Sequence, residues 1–281
     1  MDVVAKNNNI TIVIQGLLDK PRFEKSLDHY KEISGGNVIL STWECHRNLA
    51  DPAWDIHTVF NQPPLYRFWN MGNLNCQAIT ILGGCFLSKT PFTIKVRTDE
   101  YRTDLSKFIN IMLANPDKMT TDNPFFRPTN LRILHCGDHI IGMKTKAMRA
   151  TFRNVMKVCR KYHTYNSMEG LPPELFGLER RYNMDGFFPE TVITTSYLKY
   201  KKEPLDQDNN TAIMMKHFNV VDINEMGEFL VNCNNCAPQD SVLTTDRFRE
   251  FNDGNVDFGS IKSFYEMDIP RTKPHFNDPS L

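Results

Sequence analysis

The stretch that decides the fold runs from Ile10 to Glu44: ITIVIQGLLDKPRFEKSLDHYKEISGGNVILSTWE. It opens on a β-branched run, Ile10 to Ile14, which marks a strand buried on both faces. Gln15-Gly16 ends that strand in a loop. Pro21 to Ile33 then reads as a helix, because Pro21 suits a first turn and Phe23, Leu27 and Tyr30 share one face. Gly35-Gly36 stops it. Val38-Ile39-Leu40 is a second apolar strand, leading into Ser41-Thr42-Trp43-Glu44. A strand, a helix and a strand in so short a span make a βαβ unit, whose strands lie parallel.

The alternation continues outward. Met71 to Leu87 is predicted helical, with Met71, Leu74, Ala78, Ile81, Leu82 and Cys85 at three- and four-residue steps. Phe92 to Val96 reads as a strand, Leu105 to Leu113 as a helix and Leu131 to Leu134 as a strand. Ala147 to Tyr162 is the longest helix, and Thr191 to Leu198 a further one. Asp51 to Asn70, with Pro63-Pro64, reads as irregular. The expected fold class is α/β, an open and mostly parallel sheet flanked by helices on both faces. We expect one domain: an α/β part over about residues 8–163, and a smaller C-terminal lobe and tail over about 164–281. Pro172-Pro173, the charged stretch Lys199 to Asn210 and the polar tail after Asn252 set that lobe apart.

Bulk properties narrow the function. The chain has 281 residues, 41% of them hydrophobic, enough for one large core. Its 33 basic and 33 acidic residues balance, which excludes nucleic-acid binding driven by bulk charge. The apolar run Ile10 to Leu18 is interrupted by Gln15-Gly16 and too short to span a membrane, and no basic leader precedes it. The seven cysteines are scattered through apolar segments, which suits free thiols in a reducing compartment. Cys233 and Cys236 form a lone CxxC with no second pair to complete a zinc site.

Open α/β sheets bind ligands beyond the carboxyl ends of their strands. Three predicted strand ends carry polar residues: Gln15-Gly16, Ser41-Thr42-Trp43-Glu44 and Arg97-Thr98-Asp99-Glu100. These should converge. A carboxylate at a buried strand end can hold a divalent cation, and Arg97 offers a fork suited to phosphate oxygens. The alternative is an Arg97–Asp99 pair that merely closes the loop, with Thr103 or Asp104 capping the next helix.

Four motifs stand in order: Ile12-Val13-Ile14-Gln15-Gly16, Val38 to Glu44, Asn75-Cys76-Gln77 and Ile94 to Asp99. In order and spacing they resemble the WavE lipopolysaccharide-synthesis family. The likeness continues more weakly through Gly137 to Met143 and Pro189-Glu190-Thr191. Cys76 stands where the family usually has arginine. The resemblance implies a nucleotide-diphospho-sugar transferase fold of the GT-A kind and a glycosyltransferase. Its donor would be a nucleotide sugar, and its acceptor a surface polysaccharide or a viral capsid glycan. It implies that Gln15 and Gly16 line the base and ribose, that Thr42 and Glu44 sit beside the base, and that Asn75 and Gln77 face the donor. Arg97, Thr98 and Asp99 would meet the diphosphate. Asp99 would stand at the last position of a DxD-type motif, holding Mn or Mg. The implied place is the cytoplasm of a bacterium, or of the host for a viral chain, with neither a membrane span nor a nucleic-acid partner.

Inverting transfer needs a carboxylate to deprotonate the acceptor hydroxyl. Asp138 and Glu190 are the candidates. Asp138 also reads as a turn aspartate, and Glu190 as a plain first-turn glutamate. His135 and His139 flank Asp138 and read as structural histidines, and His275 is a remote candidate ligand. Trp43, Trp54 and Trp69 suit packing or stacking equally. Two other functions compete. A sugar nucleotidyltransferase normally carries a Gly-rich basic loop after its first strand, and Gln15-Gly16-Leu17-Leu18-Asp19 is not one. A non-catalytic nucleotide- or carbohydrate-binding module would bind without turnover. No GxGxxG follows any strand, which argues against a dinucleotide-dependent dehydrogenase.

Overall fold

The computed structural model describes residues 7–64, 74–122, 136–162, 189–205, 210–227 and 229–231. The opening stretch forms β1 (Ile10–Gln15), α1 (Lys20–Ile33) and β2 (Val38–Trp43), with β1 and β2 parallel. Asp19 caps α1 by accepting from the Arg22 amide at 3.3 Å. The buried stripe Phe23, Ser26, Leu27, Tyr30 and Ile33 presses α1 onto the sheet.

The chain continues through β3 (His57–Asn61), α2 (Leu74–Leu87), β4 (Phe92–Arg97), β5 (Glu100–Arg102), α3 (Ser106–Ala114) and β6 (Met119–Asp122). Then come β7 (Ile141–Lys144), α4 (Thr145–Tyr162), α5 (Pro189–Lys201), α6 (Asn210–His217), β8 (Phe218–Val221) and β9 (Phe229–Val231). Seven strands make one sheet in the order β3-β2-β1-β4-β7-β6-β8. Only β7 runs against its neighbours, so the sheet is mixed and mostly parallel, as expected. β5 and β9 form a separate antiparallel pair.

The pleat divides the core. Ile10, Ile12, Ile14, Ile94 and Val96 face α1 and α3, where Phe23, Leu27, Tyr30, Phe108 and Met112 meet them. On the other face α2, α4 and α5 pack Ile81, Phe152, Val155, Val192 and Tyr197 with Met119, Ile141 and Phe218 of the strands. Fully burying one such side chain contributes about 1.5–3 kcal/mol. Gly84 lets α2 sit close to β1, since a Cβ there would lie 2.3 Å from Val13 Cγ1.

Two expectations need correcting. Residues 57–61 are not irregular but form β3, parallel to β2. As an edge strand it is half-exposed, so it lacks the apolar run that betrays β1. The helix expected from Thr191 to Leu198 extends from Pro189 to Lys201. The chain beyond residue 188 returns to the main sheet through β8, beside β6. Leu131 to Leu134, Met71, His135, Trp69, Pro172-Pro173, Cys233, Cys236 and His275 lie outside the described residues. Among the described residues, five cysteines are free and no helix is long and apolar enough to cross a membrane.

Candidate functional site

The strand order reverses between β1 and β4: the chain goes from β1 to β2 on one side and later returns to β4 on the other. A crevice beyond the carboxyl ends at such a point is where open α/β sheets bind ligands. Gln15 pairs with both Ser41 and Arg97, so the polar ends of β1, β2 and β4 lie side by side as expected.

Hydrogen bonds stitch these ends together. The Thr98 amide donates to the Gln15 carbonyl at 3.1 Å, and the Thr98 hydroxyl donates to the Leu17 carbonyl. The Thr42 hydroxyl donates to the Gly16 carbonyl at 2.8 Å. Gly16 has φ +126°, a conformation that suits glycine, and a Cβ there would sit 3.1 Å from Thr98 Oγ1. Gln15 turns inward, accepting from the Thr80 hydroxyl at 2.6 Å. Gln15 and Thr42 are thus buried at the ends of β1 and β2. Glu44 stands apart, holding Arg47 at 2.6 and 2.8 Å on the surface, while Arg47 lies over the Phe60 ring at 4.2 Å. The bond from Arg47 holds the Glu44 carboxyl below its usual range.

At the end of β4 the Arg97 fork takes both Asp99 oxygens, at 2.9 and 2.8 Å, and reaches Glu100 Oε1 at 3.0 Å. Burial would lower the Arg97 pKa, but Glu100 and Asp99 outweigh it and raise it above the ordinary value. Asp104, one residue before the Leu105 N-cap of α3, accepts from the Ser106 amide at 2.7 Å and closes the loop into that helix. Both features belong to the loop-closing alternative. They bear on the expected cation as well. Asp99 already serves a guanidinium on both oxygens, and a cation placed there would be repelled by Arg97. Among the described residues no group of three or more His, Cys, Asp or Glu side chains gathers to hold a metal ion. The arrangement therefore does not fit Mn or Mg at Asp99.

Deeper in the site lies a cluster of charges. Asp138 Oδ2 accepts from Gln77 Nε2 at 3.0 Å, tying α2 to the segment before β7. Lys95, fully buried on β4, donates to the Asp138 carbonyl and to that of His139 at 3.3 Å. His139 Nδ1 meets Glu100 Oε1, and its Nε2 lies 3.8 Å from Asp138 Oδ1. Arg102 pairs with Glu100 Oε2 at 3.5 Å and with Asp122 Oδ2.

Each environment sets a charge state. Burial opposes ionisation of Asp138, but Lys95, His139, Arg97 and the Gln77 bond together hold its carboxyl below the usual aspartate range. Glu100 is likewise buried, and His139, Arg97 and Arg102 hold its carboxyl well below the usual range. Burial pushes Asp122 up against the pull of Arg102, and pushes the Lys95 ammonium down against the pull of Asp138.

Glu190 enters from the first turn of α5. Its carbonyl faces Cys136 Sγ at 3.8 Å, and Thr194 Oγ1 accepts from the Cys136 amide at 3.2 Å. Burial, with Asp138 and Glu190 nearby, pushes the Cys136 thiol up. Asn75 is buried in the first turn of α2, with its Oδ1 accepting from the Cys76 amide at 2.9 Å. Trp54 packs in the core against Phe23 and donates to Glu24, so it is packing.

The structure therefore brings Gln15, Gly16, Thr42, Gln77, Arg97, Thr98, Asp99 and Asp138 together, and leaves Glu44 at the surface. Of the residues that hold the cluster, Glu100 was read only as part of the polar end of β4, and Lys95, Arg102 and Asp122 were missed. A lysine inside Thr93-Ile94-Lys95-Val96 was one available signal. The Glu100, Arg102 alternation was another, because residues two apart share one face of a strand.

No family model matches the chain and no curated protein matches it, so the WavE-like motifs stand on the residues alone. Some solved structures share a distant likeness. A glycosyltransferase involved in the glycosylation of the major capsid of PBCV-1 is 12% identical, over 87% of this chain and 98% of that one, at a TM-score of 0.42. HddC from Yersinia pseudotuberculosis, complexed with GMP-PN, is 15% identical over 68% and 96%, at 0.34. A Bacillus anthracis protein assigned as a glucose-1-phosphate thymidylyltransferase, in complex with sucrose, is 10% identical over 79% and 89%, at 0.39. At TM-scores this low the likenesses carry no argument about what this chain does.

Proposed function

We propose that this chain is a glycosyltransferase that moves a sugar from a nucleotide-diphosphate donor to a glycan acceptor. The observation that carries the reading is the Gln77–Asp138 bond beside Arg97 at the β1/β4 reversal. An ionised carboxylate and a guanidinium near the carboxyl ends of β1 and β4 support the reading, since a sheet of this kind takes its ligand there. The four WavE-like motifs support it, since the ends of β1, β2 and β4 and the start of α2 are the elements that line this crevice. Residues of about 8–163 would bind the nucleotide sugar, and those of about 164–281 the acceptor. The cytoplasm, bacterial or of a host, is the proposed place.

The proposed roles are these. Gly16 and the Thr98 turn leave bare backbone for the nucleoside, with Gln15 and Thr42 fixing its floor and Asn75 near its edge. Arg97 supplies positive charge to the diphosphate, in exchange for Asp99. The acceptor hydroxyl oxygen bonds to the anomeric carbon, while the bond from that carbon to the phosphate oxygen breaks with its electron pair. The hydroxyl proton passes to Asp138. Glu190 is the second carboxylate on that side.

The test is release of nucleoside diphosphate from UDP-, GDP- or dTDP-sugars, or of CMP from CMP-sugars, with and without a glycan acceptor and with and without Mn²⁺. Acceptor-dependent release, lost in Asp138→Asn, supports the reading. Pyrophosphate-dependent conversion of a nucleotide sugar would point to a nucleotidyltransferase instead. Binding without turnover would point to a module.

A further inference from the structure

His139 is not used by the reaction above, yet it sits between two buried carboxylates, Glu100 and Asp138. We propose that His139, held by Glu100, is the positioning residue through which Asp138 passes on the proton it takes from the acceptor hydroxyl. This rests on the transferase reading.

The geometry runs from the interior to the opening. The Glu100 side chain has no exposure, that of His139 has 11% and that of Asp138 has 12%. An ionised carboxylate only accepts, so contact with Glu100 puts the imidazole hydrogen on Nδ1. Nε2 then turns its lone pair towards Asp138 Oδ1, 3.8 Å away. Gln77 engages the other Asp138 oxygen, which orients Oδ1 towards the ring. The distance is longer than a hydrogen bond, as such contacts often are before substrate binds.

The other groups facing this ring are charged too. Glu100 and Arg102 come from β5, Asp122 from β6, and Lys95 and Arg97 from β4. Lys95, Arg97 and Arg102 are three cations against the four carboxylates Asp99, Glu100, Asp122 and Asp138. The same surroundings favour Asp138 as an anion, so it holds a transferred proton poorly and needs a base beside it.

The step balances. The new bond joins the acceptor oxygen to the anomeric carbon, and the electron pair of the broken bond leaves on the nucleotide diphosphate. The hydroxyl proton moves to Asp138 Oδ1 and on to His139 Nε2. The resulting imidazolium is offset by Glu100 and returns its proton to water after product leaves.

The experiment has a spectroscopic arm and a kinetic arm. The ring nitrogens are followed by ¹⁵N NMR, with the His139 signal assigned by its loss in His139→Gln. The ring hydrogen is expected on Nδ1, with Nε2 bare towards Asp138. A ring hydrogen on Nε2 overturns the link. In the kinetic arm, His139→Gln should cut kcat for sugar transfer about 100-fold and change its pH profile, with the donor KM kept. Transfer at the parental rate and profile by His139→Gln overturns the relay while leaving the transferase reading intact. No transfer by the parent overturns the transferase reading, and the acceptor with it as the source of the proton. The double variant Glu100→Gln/His139→Gln buries no lone charge, so it separates loss of the relay from loss of the fold.

Discussion

Replacing Arg102 by methionine probes the buried charge cluster that supports the site. Arg102 is fully buried on β5 and lies between Glu100 and Asp122, both of which are buried as well. Methionine keeps much of the stem and removes the fork. Two carboxylates then lose a shared cation. Breaking a buried pair in this way costs about 3–5 kcal/mol, against a total stability of about 5–15 kcal/mol. The deficit should depend on pH. Burial raises the Asp122 carboxyl above its ordinary value of 3.8, and Arg102 opposes that rise. Without Arg102 the folded carboxyl rises further. A carboxyl raised on folding contributes stability at low pH and loses it as pH rises through the folded value. Glu100 has the opposite sign: its carboxyl is depressed, so its contribution is present at neutral pH and fades on acidification. The Asp122 term makes the gap between parent and variant widest at pH 7–8 and narrower towards pH 4–5, and the Glu100 term narrows it further only below that group's ordinary value of 4.5. Urea unfolding followed by tryptophan fluorescence at several pH values measures it. A deficit under about 1 kcal/mol at pH 7, or one that does not change with pH, refutes the reasoning.

Two further outcomes follow from the site. Gly16→Ala forces a side chain into φ +126° with a contact of 3.1 Å to Thr98 Oγ1. It should cost about 1–3 kcal/mol in thermal unfolding and weaken donor-induced stabilisation. Gln77→Leu takes the donor from Asp138 Oδ2 and leaves that buried carboxylate less satisfied. Its expected cost is about 1–3 kcal/mol in urea, with a fall in kcat for transfer.

The parallel half of the sheet was legible because both faces of β1, β2 and β4 are covered. Val38 to Leu40 therefore reads as an unbroken apolar run, and Ile10 to Ile14 and Phe92 to Val96 as apolar runs interrupted only by Thr11, Thr93 and Lys95. β3 was not legible, since an edge strand with one face half-exposed carries no such run. β8 lies in a stretch where Phe218-Asn219-Val220-Val221 is too short to stand out from its polar surroundings. In the site, the ends of β1 and β4 could be read because polar residues follow apolar ones. What Asp99 and Glu44 do could not, because both engage a nearby arginine, Arg97 and Arg47, and sequence does not say whether a carboxylate is turned to its neighbour or to a ligand. The Glu100–His139–Asp138 contact joins β5 to the segment before β7, residues 38 or more apart, and nothing local encodes it.

The central claim is that a nucleotide sugar binds beyond β1 and β4, with its diphosphate on Arg97. The most direct measurement is the thermal unfolding midpoint of the parent and of Arg97→Gln, titrated with UDP-, GDP-, CMP- and dTDP-sugars. One nucleotide class should stabilise the parent, by about 2.7 kcal/mol at ~100 times its dissociation constant. Arg97→Gln should lose that gain. A parent that no nucleotide sugar stabilises, or an Arg97→Gln chain stabilised as fully as the parent, contradicts the account.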